Sequence, residues 1–177
     1  HRQFHLLAGG WLAANAGDTR LARRALAAAG PAATGSGFPF VADMAALVEA
    51  ELSLVAGEPR EAVARLAPRA AAGNELYFLH VVLMRAHAAA GDWEAALAKA
   101  EWLRQQRGRA FGEPNSQSTW QLVNIVESNL AIIQAAHFAE RLGRTELAGE
   151  RRREFAAVWS AEGAGHPAVA RRLESLD

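Results

Sequence analysis

Two histidines seven residues apart, His80 and His87, are the chain's first candidates for metal ligands. A spacing of seven keeps both on one helical face but separates them by about 10 Å along the axis, and no third ligand is evident. Their expected role is to place polar edges between packed helices. Glu49 and Glu51 would be a general acid and base if their carboxyls met, but two positions apart on a helix they point to different faces and read as solvated carboxylates. The dense basic run Arg151 to Arg153 is bracketed by Glu150 and Glu154, and Arg104, Arg107 and Arg109 form a looser cluster. Acids beside the run mark a solvated helix face rather than a strip for phosphates. The sequence contains no glycine-rich phosphate loop after a strand, no nucleophile elbow and no cysteine. The expectation is a protein that is not an enzyme and uses neither metal nor cofactor.

Composition points the same way. The 177 residues carry 19 basic and 19 acidic side chains, with a pI near 7.2. Zero net charge leaves little sequence-independent attraction for a polyanion, so no nucleic-acid partner is expected. No uninterrupted apolar stretch reaches the roughly 18 residues of a membrane span, so no membrane partner is expected either. With 51% hydrophobic residues and no long charge block, the chain is not of the disordered class. Alanine supplies roughly a quarter of the residues, and Lys99 is the only lysine among many arginines. This mixture favours helix, because alanine loses no side-chain entropy there and leucine, arginine and glutamate lose little. Absence of cysteine fits a cytoplasmic location, the one expected here, although it equally suits an exported chain without disulfides. Residues 1–177 read as one domain, and a start at His1 without initiator methionine or signal-like segment reads as a fragment of a longer protein.

Four glycines organise this domain. Gly17, Gly57, Gly91 and Gly143 each stand between two helical patterns, 40, 34 and 52 residues apart. Glycine suits the left-handed position after a helix, Asp18 and Asp92 can cap the helix that follows, and Pro59 presets a first turn. Five residues after each glycine comes alanine: Ala22, Ala62, Ala96 and Ala148. Seven before stand Gly10, Ala50, Met84 and Ala136. Ten before stand Leu7, Leu47, Val81 and Ile133, and thirteen before stand Phe4, Met44, Phe78 and Leu130. These columns describe a helix, a tight turn and a second helix, with small residues at the crossing and an apolar face that only a neighbouring unit can cover. Helices are expected near 2–16, 18–29, 41–56, 59–72, 74–90, 92–107, 118–142 and 144–160, with a closing helix over 167–176 and no strand. The segments Gly30 to Phe40 and Arg107 to Ser118 are expected to be irregular.

The middle spacing and the stretch "LMRAHAAAGDWEAALAKAEWL" resemble the tetratricopeptide repeat: counted from Tyr77, Gly91 and Ala96 match its glycine and alanine positions, while Met84 departs from its small residue. His80 and His87 replace the aromatic residues usual on its first helix, and the resemblance extends over about residues 2–160. It implies an all-α, right-handed solenoid of about four antiparallel helix pairs with a short capping helix. It further implies that first helices line a concave groove that binds a protein or peptide. The column six before each glycine, Trp11, Glu51, Arg85 and His137, would then face the groove, bordered by Asn15, Val55, Ala89 and Arg141. The structural alternative has Trp11 plugging the open end and the charges merely solvated. Trp93 and Trp102, nine apart, are expected in the core, and Trp120 is expected half exposed beside Asn115, Ser116 and Gln117, where a loop could make contacts outside the groove.

The arginine- and alanine-rich tail "GRTELAGERRREFAAVWSAEGAGHPAVARRLESL" resembles the ends of repeat regions in bacterial regulators, among them peptide-modification-system cyclases. The functional expectation is a noncatalytic module of such a regulator that binds protein or peptide. A ligand-sensing solenoid, closed around a small molecule or signalling peptide and controlling an attached domain, stands as the alternative.

Overall fold

The computed structural model describes residues 2–30, 39–73, 75–113, 117–159 and 167, the side chains of 117–119 excepted. Among the described residues every regular element is an α-helix. In order these are α1 (Arg2–Asn15), α2 (Thr19–Ala29), α3 (Pro39–Val55), α4 (Pro59–Ala70), α5 (Tyr77–Ala89), α6 (Trp93–Gln105), α7 (Arg107–Gly112), α8 (Gln117–Arg141) and α9 (Thr145–Val158). No described helix is long and apolar enough to cross a membrane. The expected helices are present, and α7 is the addition. Its segment was expected to be irregular because Gly108 and Gly112 weaken a helix, but Ala110 is fully buried and α7 packs on α8, which outweighs that cost. Beyond residue 167 the expected closing helix lies outside the described residues, as does most of Gly30 to Phe40.

The chain forms two compact units, His1–Ala86 and His87–Asp177, divided within α5. In the first, α1 packs on α2 and α3, and α3 on α4. In the second, α6, α7 and α9 all pack on α8.

One turn recurs at all four glycines. At Gly91, φ is 75°, a conformation that costs a residue with a Cβ about 1–2 kcal/mol. There the Gly91 N–H donates to the Ala88 carbonyl at 2.9 Å and the Asp92 N–H donates to the His87 carbonyl at 2.9 Å. These two bonds satisfy carbonyls that the end of α5 would otherwise leave unpaired. Asp92 at once caps α6, its Oδ1 accepting from the Ala95 N–H at 3.3 Å and its carbonyl from the Ala96 N–H at 3.0 Å. Asp18 does the same with Leu21 and Ala22. Glu58 and Arg144 keep the backbone part of the pattern without a side-chain cap.

Because the second helix starts within a residue of the turn, it lies close against the first, as α2 does on α1, α4 on α3 and α9 on α8. Ala22, Ala62 and Ala96 are completely buried and Ala148 nearly so. Gly10 marks the tightest approach: a Cβ there would stand 2.8 Å from the Ala25 Cβ. Around these small contacts the larger columns fill the core, with Leu7, Met44, Leu47, Phe78 and Val81 enclosed and Ile133 half-buried. Helix α5 is buried on every side, consistent with its almost unbroken apolar run. Enlarging a crossing should therefore strain it. Ala96→Leu, at a completely buried position of α6, is expected to cost about 1–3 kcal/mol in denaturant unfolding, and an unchanged midpoint would contradict tight packing at that position.

Candidate functional site

Trp11, Glu51 and Arg85, drawn from three different helices, converge in the first unit. Glu51 lies on α3 and is only 2% exposed. Its Oε2 accepts from Trp11 Nε1 on α1 at 3.1 Å and from Arg85 Nη1 on α5 at 3.0 Å, while Oε1 accepts from Arg85 Nη2 at 2.9 Å. Phe78, about two helical turns before Arg85, sets its ring edge-on to the Trp11 indole with centroids 4.7 Å apart. A carboxylate can be taken out of water when it is hydrogen-bonded from several directions, and a two-pronged guanidinium supplies the matching charge. Three of the four residues expected to face a groove thus form a clasp joining α1, α3 and α5, and Glu51, expected to be a solvated carboxylate, is enclosed within it. A signal for this was present: a charge set beside the apolar run of α5 must bring a buried partner.

A second group of ionisable side chains, of which sequence patterns singled out only His80, lies in the same unit. Asp43 on α3 accepts from Arg69 Nη1 at 2.9 Å and from the Leu76 N–H at 3.2 Å. His80 Nε2 donates to Glu75 Oε1 at 2.9 Å, both side chains being almost fully buried. Burial pushes the Asp43 carboxyl above its usual range, with Glu75 adding repulsion, against the lowering effect of the Leu76 N–H and Arg69. Glu49 is separate from both groups, pairing with Arg65 at 2.7 Å. Nor do the histidines act together, since His87 Nδ1 meets Asp92 at 3.2 Å. Burial holds His87 below the usual histidine range although Asp92 pulls the other way. Among the described residues no group of three or more histidine, aspartate or glutamate side chains is placed to hold a metal ion.

In the second unit His137 and Arg141 meet around Trp93. The Arg141 guanidinium lies 4.5 Å from the indole centroid and the His137 ring 6.4 Å from it, edge-on. Trp93 and Trp102 are half-buried instead of being core residues, and each carries an arginine, Arg109 lying 5.3 Å from the Trp102 ring centroid. Cation–π attraction lets a tryptophan remain partly open beside a charged neighbour. The basic runs are likewise used internally. Arg104 and Arg151 both bond to Glu101 and Glu154, tying α6 to α9, and Arg152 pairs with Glu140. Arg152 and Arg153 stay exposed, as expected of a solvated face, while Arg151 is drawn into a network of ion pairs. Burial acts to raise the Glu101 carboxyl, but hydrogen bonds from Arg151 and Arg104 outweigh it and hold that group below the usual glutamate range.

What remains outward is apolar as well as polar. Asn15, Val55, Ala89 and Arg141 are all exposed at helix ends. Trp120, expected to be half exposed, is only 4% so, because it turns into the packing of α8. Its neighbours take the surface instead: Phe111 is 49% exposed, Leu122 65% and Val126 46%. Leu122 and Val126 share a face of α8, and Gln121 Nε2 donates to the Phe111 carbonyl, which brings α7 alongside. Asn115 and Ser116 lie outside the described residues, as does the Gln117 side chain. No protein-family model, curated protein or solved structure matches the chain.

Two substitutions probe the buried polar groups. Arg85→Ala leaves the Glu51 carboxylate enclosed with Trp11 alone and should destabilise the fold by about 3 kcal/mol; a melting temperature close to wild type would place Arg85 outside the clasp. Glu101 binds fewer protons folded than unfolded near its titration, so its contribution is present above the unfolded value of about 4.5 and is lost as pH falls through the lower folded value. Glu101→Gln should accordingly destabilise at neutral pH and by progressively less in acid, measured by urea unfolding across that range.

Proposed function

We propose that this chain is a noncatalytic protein- or peptide-binding module, built as a tetratricopeptide-like solenoid within a larger, cytoplasmic bacterial regulator. The observation that carries the reading is the pair Leu122 and Val126, one turn apart on a face of α8 and 65% and 46% exposed, with Phe111 49% exposed on the neighbouring α7. Exposed apolar side chains that lie together mark interaction surfaces more often than they serve stability. The recurrent helix pair supports the same reading, since stacked pairs display such residues on extended faces. In this arrangement Trp11, Glu51 and Arg85 tie together α1, α3 and α5 of the first unit, His137 steadies Trp93 in the second, and Asn15 and Arg141 stand exposed at helix ends.

The test is capture of a partner by the purified chain from an extract of its own organism, compared with Leu122→Glu. Leu122 is a surface residue, so the change should alter stability by less than about 0.5 kcal/mol while weakening capture at least tenfold. Equal capture by both proteins would remove the patch from the binding surface, and no capture at micromolar protein would count against the reading itself.

A further inference from the structure

The α1–α2 pair differs in charge from the chain as a whole. The sequence balances 19 basic against 19 acidic residues, yet this pair and its turn contain Arg2, Arg20, Arg23 and Arg24 against Asp18 alone. Asp18 is engaged with its own helix, accepting from the Leu21 N–H at 2.9 Å. All four arginines are exposed, and among the described residues none has an ion-pair partner. By contrast Arg65, Arg69 and Arg85 of the same unit each hold a carboxylate.

Between α1 and α2 lies a cleft of about 380 Å³, lined by His5, Leu6 and Gly9 on one side and Leu21, Arg24 and Ala28 on the other. Its floor is the close contact of Gly10 with Ala25. Gly9 is the unexplained member. It lies inside a helix, where glycine is less stable than alanine, and an added Cβ would meet nothing within 4 Å. Neither the turn geometry nor the packing of this unit requires glycine there, and its missing side chain leaves the cleft open on that side. Leu21 beside it is 47% exposed.

We propose that this cleft docks an acidic amphipathic helix of a partner protein. One large apolar side chain of the partner fills the space over Gly9 and against Leu21. Arg20 and Arg24, one turn apart on α2, match carboxylates at positions i and i+4 on the incoming helix, because both spacings are about 6 Å. The cleft spans about two turns, the reach of one apolar anchor with its flanking acids, as in other grooves that take a helix. A phosphate backbone would engage the arginines but leave the apolar cleft empty, so the peptide uses more of what the surface offers. The inference rests on the protein-binding reading for its class of partner, and it uses a surface separate from Phe111, Leu122 and Val126.

The test uses the full chain and a short labelled helical peptide bearing one leucine flanked by glutamates at i and i+4, followed by fluorescence anisotropy. Wild type should bind this peptide at least tenfold more tightly than the same peptide with lysines for glutamates or alanine for leucine. Gly9→Leu, which fills open space, and Arg24→Glu, at an exposed site, should each weaken binding at least tenfold while keeping wild-type circular dichroism and melting. Arg24→Glu should also narrow the preference for glutamate over lysine peptide. Equal affinity for the glutamate and lysine peptides, or full binding by Gly9→Leu, would overturn the proposal. So would tighter binding to phosphatidylserine vesicles or duplex DNA than to the peptide. Leu122→Glu separates the two readings: it should bind the peptide as wild type does, and if it alone abolishes peptide binding the cleft is refuted while the α7–α8 surface stands. If the peptide fails but partner capture still depends on Leu122, only the cleft is lost.

Discussion

The left-handed glycine after each first helix is the constraint on which the rest of the structure depends. It ends one helix and begins the next within so few residues that the two are forced into contact beside the turn. From that follows the demand for alanine five residues later and for small or slender residues seven before. Gly10 against Ala25 is the limiting case, with no room for even a methyl group. Asp18 and Asp92 add a second use of the same turn, since the residue that closes one helix also caps the following one. Ends and crossings are thereby set together, and the large apolar residues ten and thirteen before each glycine have only the remaining interior to occupy.

Within that interior the polar groups obey a simple rule of solvation. Glu51 and Asp43 are enclosed, and each is met by an arginine and at least one N–H donor. Glu101 in the second unit is less enclosed and is held by two arginines. The difference shows in how the carboxyls titrate: burial prevails at Asp43 and raises it, whereas hydrogen bonds prevail at Glu101 and lower it. Arginine rather than lysine serves in these places because its planar fork can engage both carboxylate oxygens, as Arg85 does with Glu51.

The surface complements this interior. Arginines that hold carboxylates between helices have no charge left to offer a partner, while those on α1 and α2 retain theirs. Large apolar side chains are exposed in both units, at Leu12, Leu21 and Val55 in the first and at Phe111, Leu122, Val126 and Val158 in the second. The ionisable clusters between the helices act as structural ties.

Helices, turns and crossings were legible because they are local. A glycine followed by a capping aspartate, or alanine in a fixed register, states its conformation within a few residues of itself, and α5 announced its burial by its apolar run. The separate use of His80 and His87 and the different faces of Glu49 and Glu51 were equally readable, since helical geometry alone decides them. Side-chain partnership was not. Glu51 finds Trp11 forty residues before it and Arg85 thirty-four after it, and the equivalent positions could as well have faced water. Trp120 turned inward and Leu122 outward for the same reason, as did α7 in forming from a glycine-containing stretch. Which face of a helix is covered depends on what the rest of the chain brings against it, and only the tertiary structure decides that.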